Sequence, residues 1–388
     1  MNNIKFSCDR VKLCEAISNV SKAVPSKSNM AALEGIKLSL NNDVLELTGY
    51  DLELGIRTTV EVNSTDKGEL IVNSRLFSEI IRKMSSKEIS IEIDEKLNIT
   101  ICGDATTYNI SAIPANEYPD FPRINNEKYV EIPQYILRNM IEHTRHAVAT
   151  NENKPILTGQ LFDIEDNTFR MVAIDGFRLA VRVERIKEDE KFNFVVPSKA
   201  LSEVSKILSK NDPVQSGQEN TEKAKTEPKQ ELMCKIYQDT KHITFEISGY
   251  YVVSRLLTGE FHNYKASIPE TFTTEVVIKT KDFIDSIERC SLLINEQTKC
   301  PIKCSFKEAS VEVNCRTTLG KVNDSIEAEV NGEAIDIGLN SRFLLDALKA
   351  CDSDKIRIQL QASNRPVKIL PMIGDSFVFL LMPIQLKN

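Results

Sequence analysis

Apolar residues recur at helical spacing along one face of "CDRVKLCEAISNVSKAV" (Leu13, Ile17, Val20, Val24), "PQYILRNMIEHTRHAV" (Leu137, Ile141, Val148) and "TKDFIDSIERCSLLI" (Phe283, Ile287, Ile294). The intervals from Leu13 to Leu137 and from Leu137 to Phe283 are 124 and 146 residues. A second helix type, "VNSRLFSEIIRKM" from Val72, "VPSKALSEVSKIL" from Val196 and "LNSRFLLDALKAC" from Leu339, recurs at 124 and 143 residues. In each of these a Ser or Asn ahead of the apolar run can cap the free amides of the first turn. Two independent elements in one register predict a threefold internal repeat with helices over 9–24, 74–86, 133–148, 198–210, 280–294 and 341–351.

Between the helices, "KEISIEI", "KLNITI" and "TTYNISAI" alternate apolar with polar positions, the period of half-buried antiparallel strands. "KIRIQL", "PVKIL" and "SFVFLLM" repeat the pattern near the C-terminus. The fold class is therefore α+β, with the helices of each repeat covering one face of antiparallel sheets. Domain boundaries fall at 1–126, 127–271 and 272–388. The longer second interval is accounted for by "NDPVQSGQENTEKAKTEPKQ", about 211–230, a polar stretch expected to be a solvated loop inserted in the middle repeat.

"MVAIDGFRLAV", Met171 to Val181, sets Asp-Gly between two apolar runs, and shifting "LTGYDLELGIR" by 124 superposes Asp51 on Asp175. Asp175-Gly176 reads as a turn in which Gly accepts positive φ and Asp bonds the neighbouring backbone.

Composition narrows the class. Hydrophobic residues at 41% and charged residues at 27% describe a globular chain without an uncharged apolar run long enough to span a bilayer. The charged N-terminus is unlike a signal peptide, so the expected location is cytoplasmic. Nine scattered cysteines read as reduced thiols, and Cys300 with Cys304 lacks the further ligands of a zinc site.

Motifs for nucleotide binding, metalloprotease or serine-hydrolase chemistry are absent from the sequence, so no catalytic residue, metal or cofactor is assigned. His143 and His146 stand at i, i+3 without a third ligand and are expected on a solvated or polyanion-facing helix surface. A rival reading makes Asp51 and Asp175 the metal-binding carboxylates of a DNA-processing enzyme.

Charge is unevenly placed. The six helices hold fifteen Lys and Arg against nine Asp and Glu, whereas the whole chain has a formal charge of −7. Basic faces on repeated helices of an acidic protein suggest a polyanion held against one surface by phosphate contacts. Arg75, Arg82, Arg138, Arg145 and Lys199 are the candidates on those helices.

The order and spacing of "LTGYDLELGI", "SAIPANEYPDFP", "VAIDGFRLAV", "VVPSKALSEV", "LNSRFLLDAL" and "LLMPIQL" resemble the bacterial sliding clamps, the beta subunits of DNA polymerase III, from Ile4 to Leu386. The resemblance implies three similar domains of the DNA clamp fold and a head-to-tail homodimer that forms a six-domain ring around duplex DNA. It implies a non-catalytic processivity factor, placed on DNA by a clamp loader and tethering the polymerase III alpha subunit. Other polymerases and repair proteins would bind through a short linear motif.

The cleft for that motif would comprise Leu157, Ile174, Gly176, Phe177, Arg178, Leu179 and Phe261, with Leu380, Leu381, Met382 and Pro383 from the C-terminal strand. Arg178 would donate to peptide carbonyls. Lys27, Asn151 and Lys154 would join the DNA-facing set. The ring joint would use Tyr108 and Ile110 on one side and Leu292 and Leu293 on the other. The chain departs from the family pattern at Phe177, usually His, at "FHNY" in place of "FPDY", at Ala266 and at Gln385.

Overall fold

A computed structural model describes residues 3–122, 124, 128–151, 153–188, 191–210, 231–294 and 300–386. The expected insertion at about 211–230 lies outside the described residues. Six α-helices are present among these: α1 (Arg10–Val20), α2 (Ser74–Lys83), α3 (Gln134–Thr144), α4 (Ser198–Ile207), α5 (Thr280–Ser291) and α6 (Ser341–Lys349). Each falls inside a predicted helical stretch, and two of the predicted last turns are short 3-10 segments, Ser21–Ala23 and Arg145–Ala147.

The reasons for these helices are local. Asn73 accepts from the amide of Leu76, and Asn340 from those of Arg342 and Phe343, which satisfies donors that have no intrahelical partner. α2 buries Phe77, Ile80 and Ile81, spaced three and four apart, each worth about 1.5–3 kcal/mol when removed from water. Arg82 and Lys83 in its last turn complement the helix dipole.

The chain packs as two compact units, Met1–Arg138 with Ala200–Leu256, and Asn139–Lys199 with Leu257–Asn388. The first holds a four-stranded sheet in the order Ile4–Asp9, Glu88–Ile93, Asn98–Gly103, Thr106–Ser111, and a nine-stranded sheet. The second holds another nine-stranded sheet and a four-stranded one in the order Gly320–Glu327, Ser310–Thr317, Ile302–Lys307, Ile335–Leu339. Every named strand pair is antiparallel, and the alternation seen in the sequence is kept: Ile89, Ile91 and Ile93 are buried between exposed or half-buried neighbours.

Each nine-stranded sheet joins two successive repeats. In the first unit Leu54–Glu61 of repeat one pairs with Tyr250–Arg255, the last strand of repeat two, with Ile56 opposite Val252. In the second unit Arg178–Arg185 of repeat two pairs with Phe377–Leu381, the last strand of repeat three, with Ala180 opposite Phe379. The corresponding strands left over are Thr106–Ser111, the last long strand of repeat one, and Gly320–Glu327 of repeat three. Both lie at the edge of a four-stranded sheet.

Candidate functional site

The turn at Asp175 connects strands Thr168–Ile174 and Arg178–Arg185. Its carboxylate Oδ1 accepts from the amides of Phe177 and Arg178 at 2.9 and 3.0 Å, and Gly176 takes φ 92° with open space where a Cβ would stand. The equivalent turn in repeat one is built the same way. Asp51 Oδ1 accepts from Glu53 and Leu54 at 3.0 and 2.6 Å, with Leu52 at φ 75°. These carboxylates hold their own turns together. Among the described residues no group of three His, Cys, Asp or Glu is placed to bind a metal ion, and the metal-enzyme reading gains no support.

Arg178 lines a groove and is engaged within the chain. Its Nε donates to Asp175 Oδ2 at 2.9 Å, its Nη1 to Asp346 Oδ2 at 2.7 Å, and its guanidinium lies 4.2 Å from the centre of the Phe343 ring. Only a tenth of its side chain is exposed. Through Nε and Nη1 these bonds clamp the turn onto α6.

Above this clamp lies a groove of about 320 Å³. Leu157, Ile174, Gly176, Phe177, Arg178, Leu179, Leu380 and Met382 line it, as expected for a cleft. Leu179 and Leu380 face each other across the strand pair and are nearly inaccessible, forming the floor. Phe177 is 63% exposed and Met382 47%, so they form an apolar rim, tied by the Met382 amide donating to the Phe177 carbonyl at 2.8 Å.

Three expected cleft residues are not among those that line this groove. Leu381 is buried in the main core of its unit, because its strand alternates faces. Phe261 packs against the smaller core that includes the floor residues Leu179 and Leu380. Pro383 lines an adjoining polar recess with Lys303, Asp336 and Gly338. Conversely His262, Ser267 and Pro366 join the lining without having been singled out as lining residues, and Lys154, expected to face DNA, is on it too. The proximity of His262 to Phe261 in sequence was the available signal.

The basic candidates divide. Lys27, Arg75, Arg82, Arg145, Lys154 and Lys199 are exposed; Arg75 pairs loosely with Glu79 at 3.5 Å and Arg145 with Glu142 at 2.9 Å. Asn151 accepts from the amide of Asn153 within its loop. Arg138 is turned inward and donates to the carbonyls of Ser205 and Leu208, at the C-terminal end of α4. That capping satisfies carbonyls with no helical partner, so Arg138 is not the outward-facing cation the sequence suggested.

The histidines also correct the sequence reading. His143 is 6% exposed and stacks on Phe377, and His146 meets Phe379 edge-on at 5.0 Å. Burial, reinforced by the Arg178 guanidinium, pushes the His146 imidazole down to about 4. Neither histidine forms a solvated surface. All nine cysteines are free, and burial pushes the Cys8 and Cys304 thiols up to about 12, far from thiolate reactivity.

At the strand edges, Tyr108 is 36% exposed and Ile110 half-buried on Thr106–Ser111. Leu292, just past α5, is 82% exposed, with half-buried Leu293 beside it.

Three family models cover nearly all of the chain. They are described as DNA polymerase III beta subunit, N-terminal domain, at residues 4–122; central domain, at 131–263; and C-terminal domain, at 265–385. The beta sliding clamp of Bacillus subtilis (strain 168) is 31% identical over 395 residues, covering 98% of this chain and 100% of that protein. That of Staphylococcus aureus (strain Mu50) is 28% identical, covering 98% and 99%. The crystal structure of the DNA polymerase sliding clamp from Bacillus subtilis superposes with a TM-score of 0.92 at 30% identity over the whole of both chains. The DNA polymerase III beta subunit of Thermotoga maritima gives 0.87 at 25%, covering 99% of this chain and all of that one.

Proposed function

We propose, from the premise that this chain belongs to the DNA polymerase III beta-subunit family of bacterial sliding clamps, that it encircles duplex DNA and tethers the replicative polymerase to its template. It is a processivity subunit and catalyses no reaction itself.

The observation that carries this reading is the pair of unmatched sheet edges. Both internal joints pair the last strand of one repeat with the strand that follows the Asp turn, or its counterpart, in the repeat before it. Thr106–Ser111 and Gly320–Glu327 are the one strand of each kind left without such a partner. An open strand edge is a template for another chain. A second copy, arranged head to tail, satisfies both edges at once and closes six repeats into a ring, with Tyr108 and Ile110 facing Leu292 and Leu293. Three domains, 1–126, 127–271 and 272–388, are the units of that ring.

Helices rich in Lys and Arg on an otherwise acidic chain support a positive inner surface that meets phosphates and leaves bases unread. Such contacts permit sliding. Lys27, Arg75, Arg82, Arg145, Asn151, Lys154 and Lys199 are its contributors, with Lys154 placed to serve the groove as well.

The groove at Phe177 and Met382 is the docking site for short linear motifs of the polymerase III alpha subunit, the clamp loader, and other polymerases and repair proteins. An apolar floor with an exposed aromatic rim suits a peptide anchored by one or two buried side chains. The compartment is the cytoplasm, where free thiols stay reduced. No helix among the described residues is long and apolar enough to cross a membrane.

The test compares retention on nicked circular DNA with retention on the same DNA linearised, after loading with a clamp loader and ATP. Persistence on the circle and loss from free ends is the expected result. Equal retention on both would reduce the protein to a surface binder and end the ring reading.

A further inference from the structure

Asp163 is the one Asp, Glu, Lys or Arg that is buried among the described residues, at 4% exposure. A buried carboxylate is costly unless hydrogen bonds and a counter-charge surround it. Here the Tyr264 hydroxyl donates to Asp163 Oδ2 at 2.6 Å, the Lys265 ammonium lies 3.2 Å from the same oxygen, and Asn193 Nδ2 approaches Oδ1 at 3.5 Å.

The two strong partners are consecutive residues of one segment. From Leu257 to Thr273 the chain has no α-helix, and apart from the single bridge of Leu257 to Val195 it has no strand; its one regular element is the 3-10 turn Tyr264–Ser267. That segment supplies the groove wall, His262 and Ser267, which are joined to each other at 3.0 Å. With so few backbone ladders, the position of the wall depends on side-chain ties. Besides those to Asp163 there is the Lys368 ammonium donating to the Pro269 carbonyl at 2.9 Å.

Asp163 sits on Gly159–Glu165, and the neighbouring strand ends at Ile174 on the groove floor. Tyr264 is packed in the small core that contains Leu179 and Leu380. The carboxylate thus ties the irregular wall to the rigid sheet that forms the floor.

We infer that Asp163 is a positioning residue for partner binding: through Tyr264 and Lys265 it holds the His262–Ser267 wall at the spacing the peptide requires. This rests on the groove being the partner site, and the experiment separates the two. A charge-assisted bond between a tyrosine hydroxyl and a buried carboxylate is short and directional, so it fixes the wall more tightly than apolar packing alone. Asp163 touches no peptide itself.

The test uses the full chain and a fluorescein-labelled peptide from the partner-binding segment of the polymerase alpha subunit, with affinity read by anisotropy. Phe177→Ala calibrates the site: if it leaves the affinity unchanged, the groove reading fails independently of Asp163. With that established, Tyr264→Phe, which keeps the ring in the core, weakens the peptide about tenfold, the scale of one lost charge-assisted hydrogen bond. Asp163→Leu weakens it equally, and combining the two adds little, because both cut the same tie. Asp163→Asn, which still offers an acceptor oxygen to Tyr264, recovers most of the affinity. Retention on circular DNA stays near that of the unaltered chain, while the thermal midpoint of Tyr264→Phe falls by a few degrees, as expected when a buried carboxylate loses one donor. Tyr264→Phe binding the peptide as the unaltered chain does would overturn the assignment, as would an Asp163→Asn variant no better than Asp163→Leu.

Discussion

Leu52 and Gly176 occupy equivalent positions in two turns 124 residues apart, and both have left-handed backbone, φ 75° and 92°. Only one is glycine. At Gly176 a methyl group meets no neighbouring atom, so Gly176→Ala tests backbone strain alone and is expected to cost about 1 kcal/mol. Leu52→Gly removes a similar strain but adds freedom to the unfolded chain, and the two effects nearly cancel, within about 0.5 kcal/mol. Urea midpoints of the two variants check the asymmetry; equal destabilisation by both would contradict it.

The groove makes a sharper demand. Phe177 is mostly exposed, so Phe177→Ala is expected to leave thermal stability within about 0.5 kcal/mol. Partner-peptide affinity falls at least about tenfold in the same variant if the ring is an anchoring contact. Calorimetric titration of one peptide against both proteins decides it, and unchanged affinity would end the reading of this groove as the partner site.

The edges carry the dimer prediction. Leu292→Asp alters a side chain that is 82% exposed, so the fold is retained while an apolar joint acquires a charge. Light scattering is expected to show a shift from dimer to monomer at micromolar concentration, and Ile110→Asp on the opposite edge does the same. A dimer that survives both substitutions places the interface elsewhere.

Acid should loosen the second unit. The His146 imidazole titrates near 4 in the folded chain and near 6.5 when unfolded, so between those values the unfolded chain binds more protons and stability falls as pH falls. From pH 7 to pH 4.5 this group removes about 2–3 kcal/mol, at about 1.4 kcal/mol per unit. His143, also depressed by burial, acts in the same direction. In His146→Phe the urea midpoint should vary less over this range than in the unaltered chain; parallel pH curves would refute the account.

Much of the architecture was legible because it is local and written three times. The apolar faces of α1 and α2, the caps at Asn73 and Asn340, and the alternation at Ile89, Ile91 and Ile93 depend on neighbours within a few residues. The turn chemistry of Asp51 and Asp175 is equally local. What escaped was set by distant partners. Arg178 is committed by Asp346, 168 residues away, and Arg138 by carbonyls about 70 residues on. His143 and His146 have helix-surface spacing but are covered by Phe377 and Phe379, which no periodicity in their own segment could reveal. Leu381 has the apolar character of a cleft residue, and strand parity sends it to the opposite face.

The strand exchange between repeats also bears on where such an assembly can part. A joint made inside one chain is leashed: when its strands separate they remain at an effective concentration in the millimolar range, on the order of 10⁻³ M, and re-form at once. A joint between two chains has no leash, and after release its halves diffuse away. In the proposed ring, the covalent connectivity would mark a seam between Thr106–Ser111 and Gly320–Glu327 as the place that yields first on dilution. If Tyr108, Ile110, Leu292 and Leu293 line that seam, its strength could be tuned there without disturbing the joints inside each chain.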